Sequence, residues 1–147
     1  MSVASHHRQV ESRLAESDVR YTAGRRAVVE VLGSAEGPLG AAEIHDRLEG
    51  QVPLSSVYRT LSVLEEAGVL IPHFAQKGLT RYELAEWLRG HHHHLVCIQC
   101  GGVEDFTLPD DLEADMDRIV RHIGGLARFQ ADTHSLEIEG RCARCAT

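Results

Sequence analysis

The stretch Ser55–Leu70 reads SSVYRTLSVLEEAGVL. On a helical wheel Val57, Leu61 and Leu64 fall on one side. Ser55, Arg59, Ser62 and Glu66 fall on the other, with Tyr58 at the flank. Apolar positions three and four apart mark a helix with one buried face. Ser55 is expected to cap it, and Gly68 to end it in the C′ position. Working upstream, GAAEIHDRLEG reads as a shorter helix with Ile44 and Leu48 inward, closed by Pro53. Before it, TAGRRAVVEVLGS (Thr22–Ser34) has an N-cap Thr22 and apolar Ala27, Val28, Val31 and Leu32, and ends at Gly37-Pro38. Downstream, two extended pieces, Val69–Gln76 and Thr80–Leu84, meet at Lys77-Gly78, a hairpin signal. Three helices and a hairpin in this order predict a winged helix-turn-helix.

The pattern changes near Glu86–Gly90. HHHLVCI and GVEDFTL read as strands around a Cys97-x-x-Cys100-Gly-Gly turn. DDLEADMDRIVRHIGG carries Leu112, Met116, Ile119, Val120 and Ile123 on one helix face and is expected to stop at Gly124-Gly125. THSLEIEG alternates as a strand, with Leu136 and Ile138 on one side. The fold class is therefore α+β: an N-terminal winged helix-turn-helix domain followed by a small α/β domain.

Composition narrows the function. The 147 residues carry a formal net charge of −7, about −2 before residue 91 and −5 after it. A nucleic-acid binder working by bulk positive charge is excluded; one that places a few arginines is not. No apolar run approaches the ~20 residues of a membrane span. The polar start, Met1–Arg8, lacks a signal-peptide core, so a cytoplasmic location is the expectation.

Four cysteines form two Cys-x-x-Cys pairs, Cys97/Cys100 and Cys142/Cys145. A redox dithiol needs only one pair, and a disulfide framework needs a secretory context. Two pairs separated by a folded stretch read as a tetrahedral zinc site with four thiolate ligands. Four histidines, His91 to His94, stand directly before the first pair. If they open a strand, successive side chains face opposite ways. His91 and His93 then point to one side, and His92 and His94 to the other, so one run can feed two metal sites. A tag fragment or a solvated polar run are the alternatives. A zinc deaminase is not supported, because neither the Glu nor the Pro of His-x-Glu…Pro-Cys-x-x-Cys is in place.

Four stretches together resemble the ferric uptake regulator superfamily of metal-dependent repressors: VRYTAGRRAVVEVL, LSSVYRTLSVLEEAGVL, HHHHLVCIQCGGVEDF and THSLEIEGRCARC. They span nearly all of Arg20–Cys145. The resemblance implies a homodimer that binds an AT-rich palindromic operator in double-stranded DNA, with a DNA-reading domain over 1–86, a hinge over 87–91 and a dimerisation and metal-binding domain over 92–147. Tyr58 and Arg59 would read the major groove, with Ser55 and Ser56 beside them at the helix N-terminus, and Arg20 would enter the minor groove. His92 and His94 would join Glu83 and Asp105 in a regulatory site. His91 and His93 would join Glu113 and His134 in a second site, and the four cysteines would hold structural Zn²⁺.

The family's regulatory histidine from the DNA domain is missing, since EGPLGAAEI holds none. His73, in the wing, is the candidate replacement. His6, His7, His45 and His122 read as ordinary helix or surface residues. The expected function is metal-responsive repression rather than catalysis, with Fe²⁺ or Zn²⁺ foremost and Mn²⁺ or Ni²⁺ as further candidates. An iron-dependent peroxide sensor on the same scaffold is the alternative.

Overall fold

The computed structural model describes residues 3–74 and 78–146, with no account of the side chains of residues 3–5. Two compact units divide between Gly90 and His91.

The first unit opens with α1 (Val3–Glu16), a helix that the sequence reading does not anticipate. Its signal is faint because, among its described side chains, Val10 and Leu14 are the large apolar ones that reach the core, where both are fully buried. Each such burial stabilises by roughly 2 kcal/mol. Next come α2 (Ala23–Ser34), capped by Thr22 as expected, and α3 (Ala41–Arg47). The helix of the opening stretch, α4, spans Leu54–Glu66. Its N-cap is Pro53 and not Ser55. Proline's fixed φ suits a helix start, and Ser55 and Ser56 are carried into the first turn. Gly68 takes φ 73°, and the N–H groups of Gly68 and Val69 close onto the carbonyls of Glu65 and Leu64, a Schellman stop.

Strands β1 (Leu39–Gly40), β2 (Leu70–Phe74) and β3 (Thr80–Leu84) form a sheet in the order β1-β3-β2, all antiparallel, so β2 and β3 are the wing. Their expected junction at Lys77-Gly78 lies partly outside the described residues. Val28, Leu32, Ile44, Val57, Leu61 and Leu64 meet in the core. A short helix, α5 (Glu86–Arg89), buries Leu88. Arg89 donates to the carbonyls of Leu32 and Ala35 at 3.0 and 2.5 Å, satisfying the end of α2. Residues 87–89 of the expected hinge are therefore helical and tied to the first unit.

The second unit contains β4 (His93–Cys97), β5 (Val103–Phe106), α6 (Asp110–Ala127) and β6 (Glu137–Gly140). β4 is central, antiparallel to β5 and parallel to β6. α6 does not stop at Gly124-Gly125 but runs to Ala127 and closes on Arg128, at φ 52°. Glycine within a helix costs about 1 kcal/mol without breaking it. Gly124 has a packing reason, since a Cβ there would stand 2.7 Å from the Phe129 carbonyl oxygen.

His6, on α1, is buried, bonds to the Leu88 backbone, and leaves Nδ1 without a partner. Burial is the main cause that holds its pKa below the ordinary histidine value. The unfolded chain therefore takes up this proton first, and stability is lost as pH falls from about 6.5 through the lower folded value. Replacing His6 with leucine should make the acid loss of melting temperature shallower in that window. An unchanged profile, followed by circular dichroism, would remove His6 from the account.

Candidate metal centres and nucleic-acid interface

Three clusters of ligand-type side chains depend on the chain around β4. The strand begins at His93, one residue after the start of the expected HHHLVCI strand, yet the alternation extends back through His92 and His91, which meet different carboxylates.

Cys97 ends β4 and Cys100 follows in the turn, while Cys142 and Cys145 follow β6. Their four Sγ atoms lie within 4.8 Å of one another. Cys100 and Cys142 are 3.9 Å apart, too far for a disulfide, and all four are free. Tetrahedral zinc with Zn–S bonds of ~2.3 Å sets its sulfurs about 3.8 Å apart, so the group fits. The backbone N–H of Cys142 points at Cys97 Sγ at 3.4 Å. This and the Cys100 N–H pull the Cys97 thiol down to about 6. The Cys142 thiol is also lowered, first by the Cys145 backbone. Cys145 is pushed up to about 12, first by its bond to Cys142, then by burial and the other sulfurs. Cys97 is thus prepared as a thiolate, whereas the Cys145 proton is held until a cation offsets the charge.

On one side of β4, His91, His93, Glu113 and His134 converge. Glu113 sits in the first turn of α6, and His134 precedes β6. Glu113 Oε1 lies 3.2 Å from His91 Nε2 and 2.8 Å from His134 Nε2, and Oε2 lies 3.0 Å from His93 Nε2. His91 and His134 bring their Nε2 atoms within 3.2 Å. Oε1 is buried and has no hydrogen bond of acceptable geometry despite those two close nitrogens. Three imidazoles and a carboxylate whose ligand atoms lie within 4.8 Å of one another could hold a shared cation. The Asp117 carboxylate lies 3.7 Å from His134 Nδ1, on the far side of that ring. The Leu136 N–H reaches His93 Nδ1 at 3.3 Å, which leaves the proton of neutral His93 on Nε2, facing Glu113. Hydrogen bonding to His93 is the first cause that lowers the Glu113 pKa.

On the other side, His92 and His94 place Nε2 at 3.8 and 3.3 Å from Asp105 Oδ1. The register pairs His94 with Asp105 across β4 and β5. All three side chains are largely buried, and the two rings meet edge-on at 5.0 Å. In the first unit, Glu83 stands on β3 with its carboxylate 2.6 Å from His73 Nε2. This diagonal pair across the wing was present in the sequence only as a hint about His73.

The DNA-reading candidates lie in the first unit. Ser55, Tyr58 and Arg59 are exposed on the first two turns of α4, and Ser56 is half-buried. Arg59 Nη2 donates to Ser56 Oγ at 3.1 Å, which holds the guanidinium at the helix start. Arg20 is exposed in the loop before α2.

A winged helix with an exposed Tyr-Arg pair, followed by a unit built around thiol and imidazole clusters, defines a DNA-binding regulator of the metal-responsive class. The family model of the ferric uptake regulator family matches residues 16–139. The chain is 32% identical to the ferric uptake regulation protein of Bacillus subtilis, over 93% of this chain and 92% of that one. It superposes on the Vibrio cholerae ferric uptake regulator with a TM-score of 0.70 and 29% identity, covering 90% of this chain and 98% of that one. The Helicobacter pylori regulator shares the fold, with a TM-score of 0.77 and 23% identity, covering 100% and 95%. The chain belongs to the ferric uptake regulator family, whose members are transcriptional regulators and not enzymes.

Metal-free protein should lose stability as pH falls from about 9 through 6, because Cys97 ionises more readily folded than unfolded. Binding Zn²⁺ at neutral pH should release protons, the Cys145 proton among them. Calorimetry in buffers of different ionisation enthalpy checks this; zinc uptake with no proton release, or an unchanged release in Cys145→Ser, contradicts it.

Proposed function

We propose that the protein is a metal-responsive repressor: a homodimer that closes on an AT-rich palindromic operator when its regulatory site is filled. The observation that carries this reading is the separation of His92 and His94 from His91 and His93, with Asp105 serving one pair and Glu113 and His134 the other. A divalent cation at the regulatory site would supply a bond between ligands on different parts of the chain.

In this reading His92, His94 and Asp105 are the ligands of the second unit, and Glu83 is the ligand of the wing. His73 holds the Glu83 carboxylate from the wing side. The four cysteines and the His91/His93/Glu113/His134 group keep the second unit folded. Zn²⁺ suits the thiolates, while imidazole and carboxylate donors accept Fe²⁺, Zn²⁺, Mn²⁺ or Ni²⁺.

The homodimer is supported by an uncovered apolar face. Ile119, Ile123 and Leu126 on α6 are exposed, as are Leu95 and Ile138, paired on neighbouring strands. Exposed large apolar residues grouped on a helix face and on paired strands are what an interaction site offers. Among the described residues no helix is long and apolar enough to cross a membrane. A cytoplasmic regulator is the reading that fits its work on DNA. Tyr58 and Arg59 meet the major groove, Ser55 and Ser56 the adjacent phosphates, and Arg20 the minor groove.

Metal and DNA then bind with reciprocal linkage. Glu83→Ala and His92→Ala should each lower the metal-dependent gain in DNA affinity by about 10-fold or more, within the usual range of such couplings, while leaving melting temperature and dimer intact. Titrating chelated protein with each metal under anaerobic conditions, with anisotropy of a labelled operator as readout, checks this and ranks the metals. A full metal response in either variant would remove the clamp. Peroxide treatment followed by mass spectrometry separates the sensor reading: an added oxygen on His92 or His94 identifies it.

A further inference from the structure

The loop from Ser17 to Thr22 carries Arg20, and contacts from α1 and α2 fix its backbone. At its start the Asp18 and Val19 N–H groups donate to the carbonyls of Ala15 and Leu14 at 3.1 and 2.9 Å, and Asp18 adopts φ 57°. Tyr21 is held on both sides. Its hydroxyl lies 2.6 Å from His7 Nδ1, and the Arg26 guanidinium covers its ring at 4.6 Å. Arg25 acts on Arg20 itself: its Nη1 donates to the Arg20 carbonyl at 2.5 Å, while its backbone N–H is capped by Thr22 Oγ1 at 3.3 Å. The Arg20 side chain is meanwhile exposed.

We infer that Arg25 is a positioning residue for DNA recognition: it fastens the main chain at Arg20, so that the Arg20 side chain is presented to the minor groove in a preformed arm. This rests on the proposed DNA-reading role of Arg20. The physical reason is entropic. An arm ordered only on binding loses affinity to that ordering, and a hydrogen bond made beforehand removes the loss. Arg25 reaches the carbonyl only because α2 begins at Ala23, which places residue 25 in the first turn, over the peptide it holds. The Thr-x-x-Arg spacing then has a local cause: the threonine starts the helix, and the arginine three residues on reaches back to the arm.

The test is a double-mutant cycle on metal-loaded, full-length protein. One duplex is an AT-rich palindrome selected by the wild-type protein from a randomised pool. The other is the same duplex with its A·T tracts outside the major-groove half-sites changed to G·C. Arg25→Ala should weaken binding to the first by about tenfold, within the range of coupled neighbours, and to the second far less. In an Arg20→Ala background it should cost little more. The salt dependence of the double variant should match that of Arg20→Ala alone, and Arg25→Lys, which keeps a donor of similar reach, should retain most of the affinity.

Additive losses, with the salt slope falling by about one further unit, would make Arg25 a phosphate contact and overturn the inference. Equal loss on both duplexes with a lowered melting temperature would reduce it to a folding role and overturn it too. Arg20→Ala without effect on either duplex would sink the minor-groove reading itself, and this inference with it. A clear Arg20 effect without coupling would sink the inference alone.

Discussion

The period of two along a β-strand is the constraint on which the second unit depends. His91 to Cys97 is a short segment, yet it supplies a ligand-type side chain to each of three clusters. Alternation sends His91 and His93 toward Glu113 and His134, and His92 and His94 toward Asp105. Cys97, at the end of the same strand, meets the cysteine pair after β6. A one-residue slip of β4 would exchange the two histidine pairs and scramble both clusters at once. Its pairing on both edges, with β5 and β6, is what prevents the slip.

The same segment explains how so small a unit holds together. Among its described residues only His93, Cys97 and Gly124 are buried. The first unit, by contrast, has a core running from Val10 to Leu88. A chain of under 60 residues without an apolar centre needs cross-links or a partner surface. Metal bound at the thiolate and imidazole clusters would supply the first, and the exposed apolar residues of α6 and the sheet would supply the second. Metal binding at these clusters would then be coupled to the folding of this unit.

The architecture was largely legible in the sequence because its helices and strands carry clean periods. Val57, Leu61 and Leu64 mark α4, and Gly68 marks its end. What was not legible had too few apolar residues or depended on contacts distant in sequence. Among its described side chains α1 turns two large apolar residues, Val10 and Leu14, to the core, and its sequence otherwise resembles a polar tail. Gly124-Gly125 looked like a stop, but the approach of Phe129, which makes glycine necessary, cannot be read locally. Pairing of the four histidines by strand parity was readable from spacing alone. The ring partners Asp117 and Leu136 were not, because each enters from an element that only the fold brings near.

Charge connects the two halves. With a formal net charge of −7, the protein cannot rely on a general attraction to phosphate. Individual arginines must then be placed where they count, and the structure holds two of the candidates by neighbours: Arg59 by Ser56, and the Arg20 peptide by Arg25. Pre-ordering of this kind moves the cost of organising the interface from binding into folding. The acidic second unit carries the complementary requirement. Its four sulfurs lie within 4.8 Å of one another, so a bound cation would offset the charge of the thiolates gathered there. In the proposed regulator, metal binding would then act on DNA affinity without remaking the surface that carries Tyr58 and Arg59.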